Sequence, residues 1–157
     1  MGATGATGYT GATGASGPRG PAGPTGSLGV VVMYNDTYAH SFISLSTDYK
    51  TVANVTLAAP SNGYVVLSVN AMADLSGDST IAGLGLGMTS DAYPNLSYIF
   101  AGPTGAETTT YLPMSVQAVV PVTAGNSYTF FAIGCLVQAW HPADLYYIYM
   151  TGVFYPA

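Results

Sequence analysis

Few side chains in this sequence can carry acid–base, nucleophilic or metal chemistry. There are two histidines, His40 and His141, one cysteine, Cys135, seven acidic residues and two basic ones. No Gly-x-Ser-x-Gly elbow occurs, and no two carboxylates fall into an acid/base motif. His40 with Asp36 or Asp48 could form a dyad across a loop, but a solvated loop histidine explains the same residues. Cys135 lies among Phe131, Ile133 and Val137, where a thiol behaves as a small apolar side chain. Gly83, Gly85 and Gly87 alternate with Leu84, Leu86 and Met88. That is not the dinucleotide fingerprint, which needs another spacing and a following helix. A strand face without side chains instead admits a neighbouring backbone or ring. The expectation is a protein that is not an enzyme and needs no cofactor or metal ion.

Aromatic and polar groups gather at one place. Trp140-His141-Pro142-Ala143-Asp144, followed by Tyr146 and Tyr147, forms a loop between two apolar runs. Rings stack on the apolar faces of sugars while Asp and His hold hydroxyls, so Trp140, His141, Asp144 and Tyr146 are a candidate carbohydrate-binding set. The competing reading is a tryptophan that seals one edge of the fold. Asp74, Asp78 and Asp91-Ala92-Tyr93 lie in other loops and could join such a site, or bind a cation through oxygens.

The elements that must position these residues are strands. From Val30 onward the apolar pattern has period two, and no helical stretch is found. The runs fall near 28–34, 42–45, 51–58, 63–73, 80–89, 95–101, 108–120, 126–139 and 145–155. Turn clusters such as Asn35-Asp36, Tyr93-Pro94-Asn95 and Thr123-Ala124-Gly125-Asn126 separate them. Eight or nine strands predict an all-β antiparallel sandwich or jelly roll over residues 30–157. In the run from Tyr64, Val65, Leu67, Val69 and Ala71 share one face. In the last run Tyr146, Ile148, Met150 and Phe154 are expected to oppose Leu145, Tyr147, Tyr149, Val153 and Tyr155. Both faces are apolar and nearly uncharged, which in water would leave a large exposed patch. A subunit interface is the simplest use of the second face.

Residues 1–29 follow another rule. Glycine occupies every third position: Gly2, Gly5, Gly8, Gly11, Gly14, Gly17, Gly20, Gly23, Gly26 and Gly29. Three polyproline-II chains can wind together only where each third residue leaves the axis free. A flexible linker has no reason to keep such a phase. A wound segment of this length spans roughly 80–90 Å at about 3.1 Å per residue. Proline stiffens only Gly17-Pro18-Arg19, Gly20-Pro21-Ala22 and Gly23-Pro24-Thr25, beside the strand-rich part. Threonine at 4, 7, 10, 13 and 25 presents hydroxyls that either stiffen the chain or accept O-glycans. A triple helix requires three chains, so a homotrimer is predicted.

Charge excludes other partners. Only 6% of the residues are charged, against roughly 25% in an average domain. Two basic residues, Arg19 and Lys50, cannot cover a phosphate backbone, which argues against nucleic acid. No apolar run reaches the length of a membrane span, so no membrane insertion is expected. The first residues lack the basic and apolar regions of a signal peptide.

The chain resembles collagen-like proteins that end in a trimeric head of the complement globular-head and tumour-necrosis-factor-like superfamily. The Gly-X-Y tail runs directly into the head. Ala59-Pro60-Ser61-Asn62-Gly63-Tyr64-Val65-Val66-Leu67 is similar to that family's "P-x-x-G-x-Y" strand. Val122-Thr123-Ala124-Gly125-Asn126 is similar to its "hydrophobic-x-x-G-(D/N)" turn, and Thr151-Gly152-Val153-Phe154-Tyr155-Pro156 to its closing strand. The low charge and Gly-Ala-Thr triplets look more like bacterial or viral members. The resemblance implies a trimeric jelly-roll head that nucleates a collagen-like stalk and binds a surface glycan or protein receptor. The expected setting is extracellular: a cell or spore surface, or a virion fibre. A phage or viral fibre tip is the alternative.

Overall fold

The structure is a computed structural model and describes residues 1–5, 31–76, 80–102, 109–138 and 141–157. Residues 1–5 are exposed and without regular structure, and Gly2 and Gly5 have open space around them. The remaining glycines of the repeat, Gly8, Gly11, Gly14, Gly17, Gly20, Gly23, Gly26 and Gly29, expected at a triple-helix axis, lie outside the described residues.

Eight strands follow in order: β1 (Val31–Ser44), β2 (Lys50–Ala58), β3 (Gly63–Leu75), β4 (Ile81–Gly87), β5 (Ser97–Ala101), β6 (Thr110–Val122), β7 (Ser127–Gln138) and β8 (Ala143–Pro156). They form two antiparallel four-stranded sheets, β1-β8-β3-β6 and β2-β7-β4-β5, packed as a β-sandwich. No helix long and apolar enough to cross a membrane occurs among the described residues.

The core lies between the sheets. From one come Val65, Leu67, Val69, Ala73 and Leu75 of β3 with Leu145, Ile148, Met150 and Phe154 of β8. From the other come Val55 and Leu57 of β2, Leu84 and Leu86 of β4, and Phe130, Ala132 and Leu136 of β7. Burying each larger side chain contributes about 1.5–3 kcal/mol. The predicted phase of β3 is the observed one.

Two expectations change. The runs near 28–34 and 42–45 are a single strand, β1, with register shifts between Asn35 and Tyr38 and between Tyr38 and Phe42. Asn35-Asp36 is therefore an irregularity within a strand, not a turn. β1 can absorb it because it is an edge strand paired only with β8. The alternation of β8 also breaks. Tyr147 has φ 50, in the left-handed region, and the pairing with β3 shifts between Asn70 and Met72. This β-bulge inserts one residue and reverses the phase. Leu145 joins Ile148, Met150 and Phe154 inside, and Tyr146 turns out.

β6 is the opposite edge of the same sheet and carries Pro113 and Pro121. Proline has no N–H to donate, which an edge strand tolerates and a central one does not.

Candidate functional site

The outer face of the β1-β8-β3-β6 sheet is banded by register. Val32 pairs with Val153, Val153 with Val66, and Val66 with Val119, so one valine row crosses all four strands. Val32 and Val119 are 63% and 64% exposed at its ends. Beside it, Tyr155 pairs with Tyr64 and Tyr64 with Pro121. Further along, Phe42, Tyr146, Met72 and Pro113 form another apolar row. The Phe42 and Tyr146 rings lie 5.6 Å apart.

Asp144 and Tyr146 of the predicted set sit on this face, and His141 is exposed in the preceding loop. The His141 carbonyl accepts a 3.4 Å hydrogen bond from the Thr80 hydroxyl. Trp140 lies outside the described residues, as does Asp78. Asp74, which the sequence offers as a further member, is brought directly opposite Asp144. Like charges so placed destabilise a sheet. One carboxylate oxygen of Asp74 is buried without a hydrogen-bond partner among the described residues. The nearby Tyr146 phenol is pushed above its ordinary pKa, first by burial and then by Asp144 and Asp74.

Asp91 and Tyr93 do not join this set, because they belong to the other sheet. Asp91 Oδ1 accepts a 2.7 Å hydrogen bond from the Thr51 N–H, and the Asp91 N–H donates to Thr51 Oγ1 at 3.0 Å. This reciprocal pair ties the β4–β5 loop to the start of β2 and holds Asp91 at φ 48. The Asp91 carboxylate is thus a pin within the fold.

The pin positions a cleft that sequence reasoning missed. Gly83 and Gly85 turn their empty side outward between β7 and β5, pairing with Cys135 and Ile133 on one side and with Phe100 and Tyr98 on the other. A Cβ on Gly83 would stand 2.9 Å from Cys135 Sγ and 3.1 Å from the Phe100 ring. One on Gly85 would strike Pro94. The expected close approach at the glycine stripe is therefore real, and its partners are a ring, a thiol and a proline.

Over Gly83 and Cys135 lies a cavity of about 420 Å³. Tyr49, Tyr93, Tyr98 and Phe100 stand around it as a chain of touching rings, with successive centroids 5.5, 5.6 and 5.2 Å apart. Tyr93 is 52% and Tyr98 50% exposed. A hydrogen bond with Tyr98 holds the Tyr93 phenol above its ordinary pKa, with smaller contributions from burial and neighbouring groups. Burial pushes the Cys135 thiol up as well, so it stays protonated near neutral pH. Among the described residues, no charged side chain lines the cavity. The spacing of Tyr98 and Phe100 opposite Gly85 and Gly83 was the signal available in sequence. Nothing local places Tyr49 or Tyr93 beside them.

Among the described residues, no group of three or more His, Cys, Asp or Glu side chains could hold a metal ion. No protein-family model matches the chain, and no curated protein matches it significantly.

Proposed function

We propose that this chain is a structural and adhesive surface protein whose β-sandwich trimerises and nucleates a collagen-like stalk. The observation that carries the reading is the valine row that crosses one sheet face from edge to edge, exposed at both ends. A second face of this kind is left for other chains to cover. The tail requires three chains, and three-fold closure meets both demands. Strand orders β1-β8-β3-β6 and β2-β7-β4-β5 support reading the sandwich as a jelly roll of the complement globular-head and tumour-necrosis-factor-like kind. Aligning three tails at one end spares the stalk a costly initiation. Three copies of a weak receptor site also gain avidity for a glycan or protein. The setting is a cell or spore surface. The same architecture serves a phage or viral fibre tip, the second reading.

Native mass spectrometry of the full chain tests this. Three chain masses are expected, and a single chain mass at micromolar concentration overturns the reading. Removing residues 1–29 should leave three chains together; if it gives single chains, the head is not the nucleator.

A further inference from the structure

We infer that the Tyr49–Tyr93–Tyr98–Phe100 cleft on the β2-β7-β4-β5 sheet is a binding site for a neutral sugar ring. The inference rests on the adhesive reading above and names the site and ligand class for it. The cavity, about 420 Å³, falls within the roughly 300–1,000 Å³ typical of small-ligand sites.

Its lining selects the ligand by exclusion. Among the described residues, no Asp, Glu, Lys, Arg or His side chain lines it, so a charged ligand would be stripped of water with no counter-charge from them in return. A wholly apolar ligand would remain half in water, because the rings themselves are about half exposed. Thr47, Tyr49 and Tyr98, each of which carries a hydroxyl, also line the cleft. A pyranose matches this mixture. Its C–H face packs on a ring, and its hydroxyls meet phenol and threonine oxygens at the rim.

The site is also preorganised. Three devices fix the β4–β5 loop that carries Tyr93: the Asp91–Thr51 pair, Pro94 seated on Gly85, and the 3.1 Å hydrogen bond from the Met88 N–H to Asn95 Oδ1. The rings therefore stand in place before a ligand arrives, and little ordering entropy opposes binding.

The test uses the full chain against an array of neutral and sialylated or sulfated glycans. Titration with methyl glycosides of neutral hexoses and N-acetylhexosamines follows, read by ligand-observed NMR. Binding of at least one neutral sugar is expected, with no gain from acidic groups. Tyr98→Ala should weaken it about tenfold, the worth of one stacked ring. Thr56→Ala, at the polar end of the same sheet, should leave it unchanged. Cys135, the only cysteine, gives a second readout: saturating sugar should slow its reaction with a small thiol reagent.

Failure of every neutral glycan to bind overturns the inference. So does binding that survives Tyr98→Ala but not Tyr146→Ala, or Cys135 protection by cyclohexanol alone. A cross-link from Tyr98 to another copy of the chain would make the cleft an interface and also overturn it. Chain mass is measured on the same samples, so sugar binding by a single chain separates failure of the trimer from failure of the site.

Discussion

The two outer faces of the sandwich use aromatic and aliphatic side chains in opposite ways. On β1-β8-β3-β6 they lie in flat rows that run across strands, with Val32, Val153, Val66 and Val119 in line. On β2-β7-β4-β5 they gather at one end around a hollow floored by Gly83, with Pro94 seated on the neighbouring Gly85. The other end is polar, and Thr56 and Thr129 share a 3.0 Å hydroxyl contact there. A flat row offers area and little shape, which suits a broad partner surface. A hollow with pinned walls offers shape and little area, which suits a small molecule. Apolar content alone does not distinguish the two uses; the placement of glycine does.

The largest expected effect comes from charging the flat face. Val66→Glu with Val119→Glu should convert a three-chain species to single chains in native mass spectrometry. The sandwich itself should persist by circular dichroism, because both side chains point away from the core. Overfilling the glycine stripe beside the hollow comes next. Gly85→Val forces a side chain into Pro94 and should cost about 1–3 kcal/mol by denaturant unfolding, as overpacking does. Asp91→Ala removes the carboxylate acceptor for the Thr51 N–H. It should cost about 1 kcal/mol and loosen the Tyr93 loop, seen as faster amide exchange there. Asp144→Asn relieves the carboxylate pair with Asp74 and should stabilise the flat-faced sheet by about 0.2–1 kcal/mol.

The smallest effect is the pH response. Tyr93 and Tyr146 have folded pKa values above 10.0, so their contribution is complete below that pH and is lost as pH rises through the raised values. Tyr128 works the other way. Its phenol oxygen accepts hydrogen bonds from Asn126 and the Thr123 N–H, which lower its pKa, so it favours the folded state as pH climbs. Unfolding midpoints should stay level through neutral pH and decline only modestly in strong alkali. A steep loss at neutral pH would contradict this balance.

The flat face was more legible in the sequence than the hollow. Strict alternation in β3 assigns Val65, Leu67 and Val69 to the core, because an unbroken strand leaves no choice of phase. The same rule misplaces Leu145 and Tyr146, because the bulge at Tyr147 leaves no mark in residue type. The turn expected at Asn35-Asp36 likewise misses that an edge strand can carry irregularities. Gly83, Gly85 and Gly87 announced a close approach but not its partners. Tyr49 and Tyr93 reach the cleft through the Asp91–Thr51 bonds, which span 40 positions of chain. Contacts so distant in sequence are fixed by tertiary packing and have no local signature.

Pro113 and Pro121 bear on how such molecules could crowd together. A strand interrupted twice by residues that cannot donate makes a poor template for another strand. Growth of one sheet into the next along β6 is thereby discouraged. Even at high concentration, neighbouring molecules would stay separate along this margin rather than fuse into a continuous ribbon.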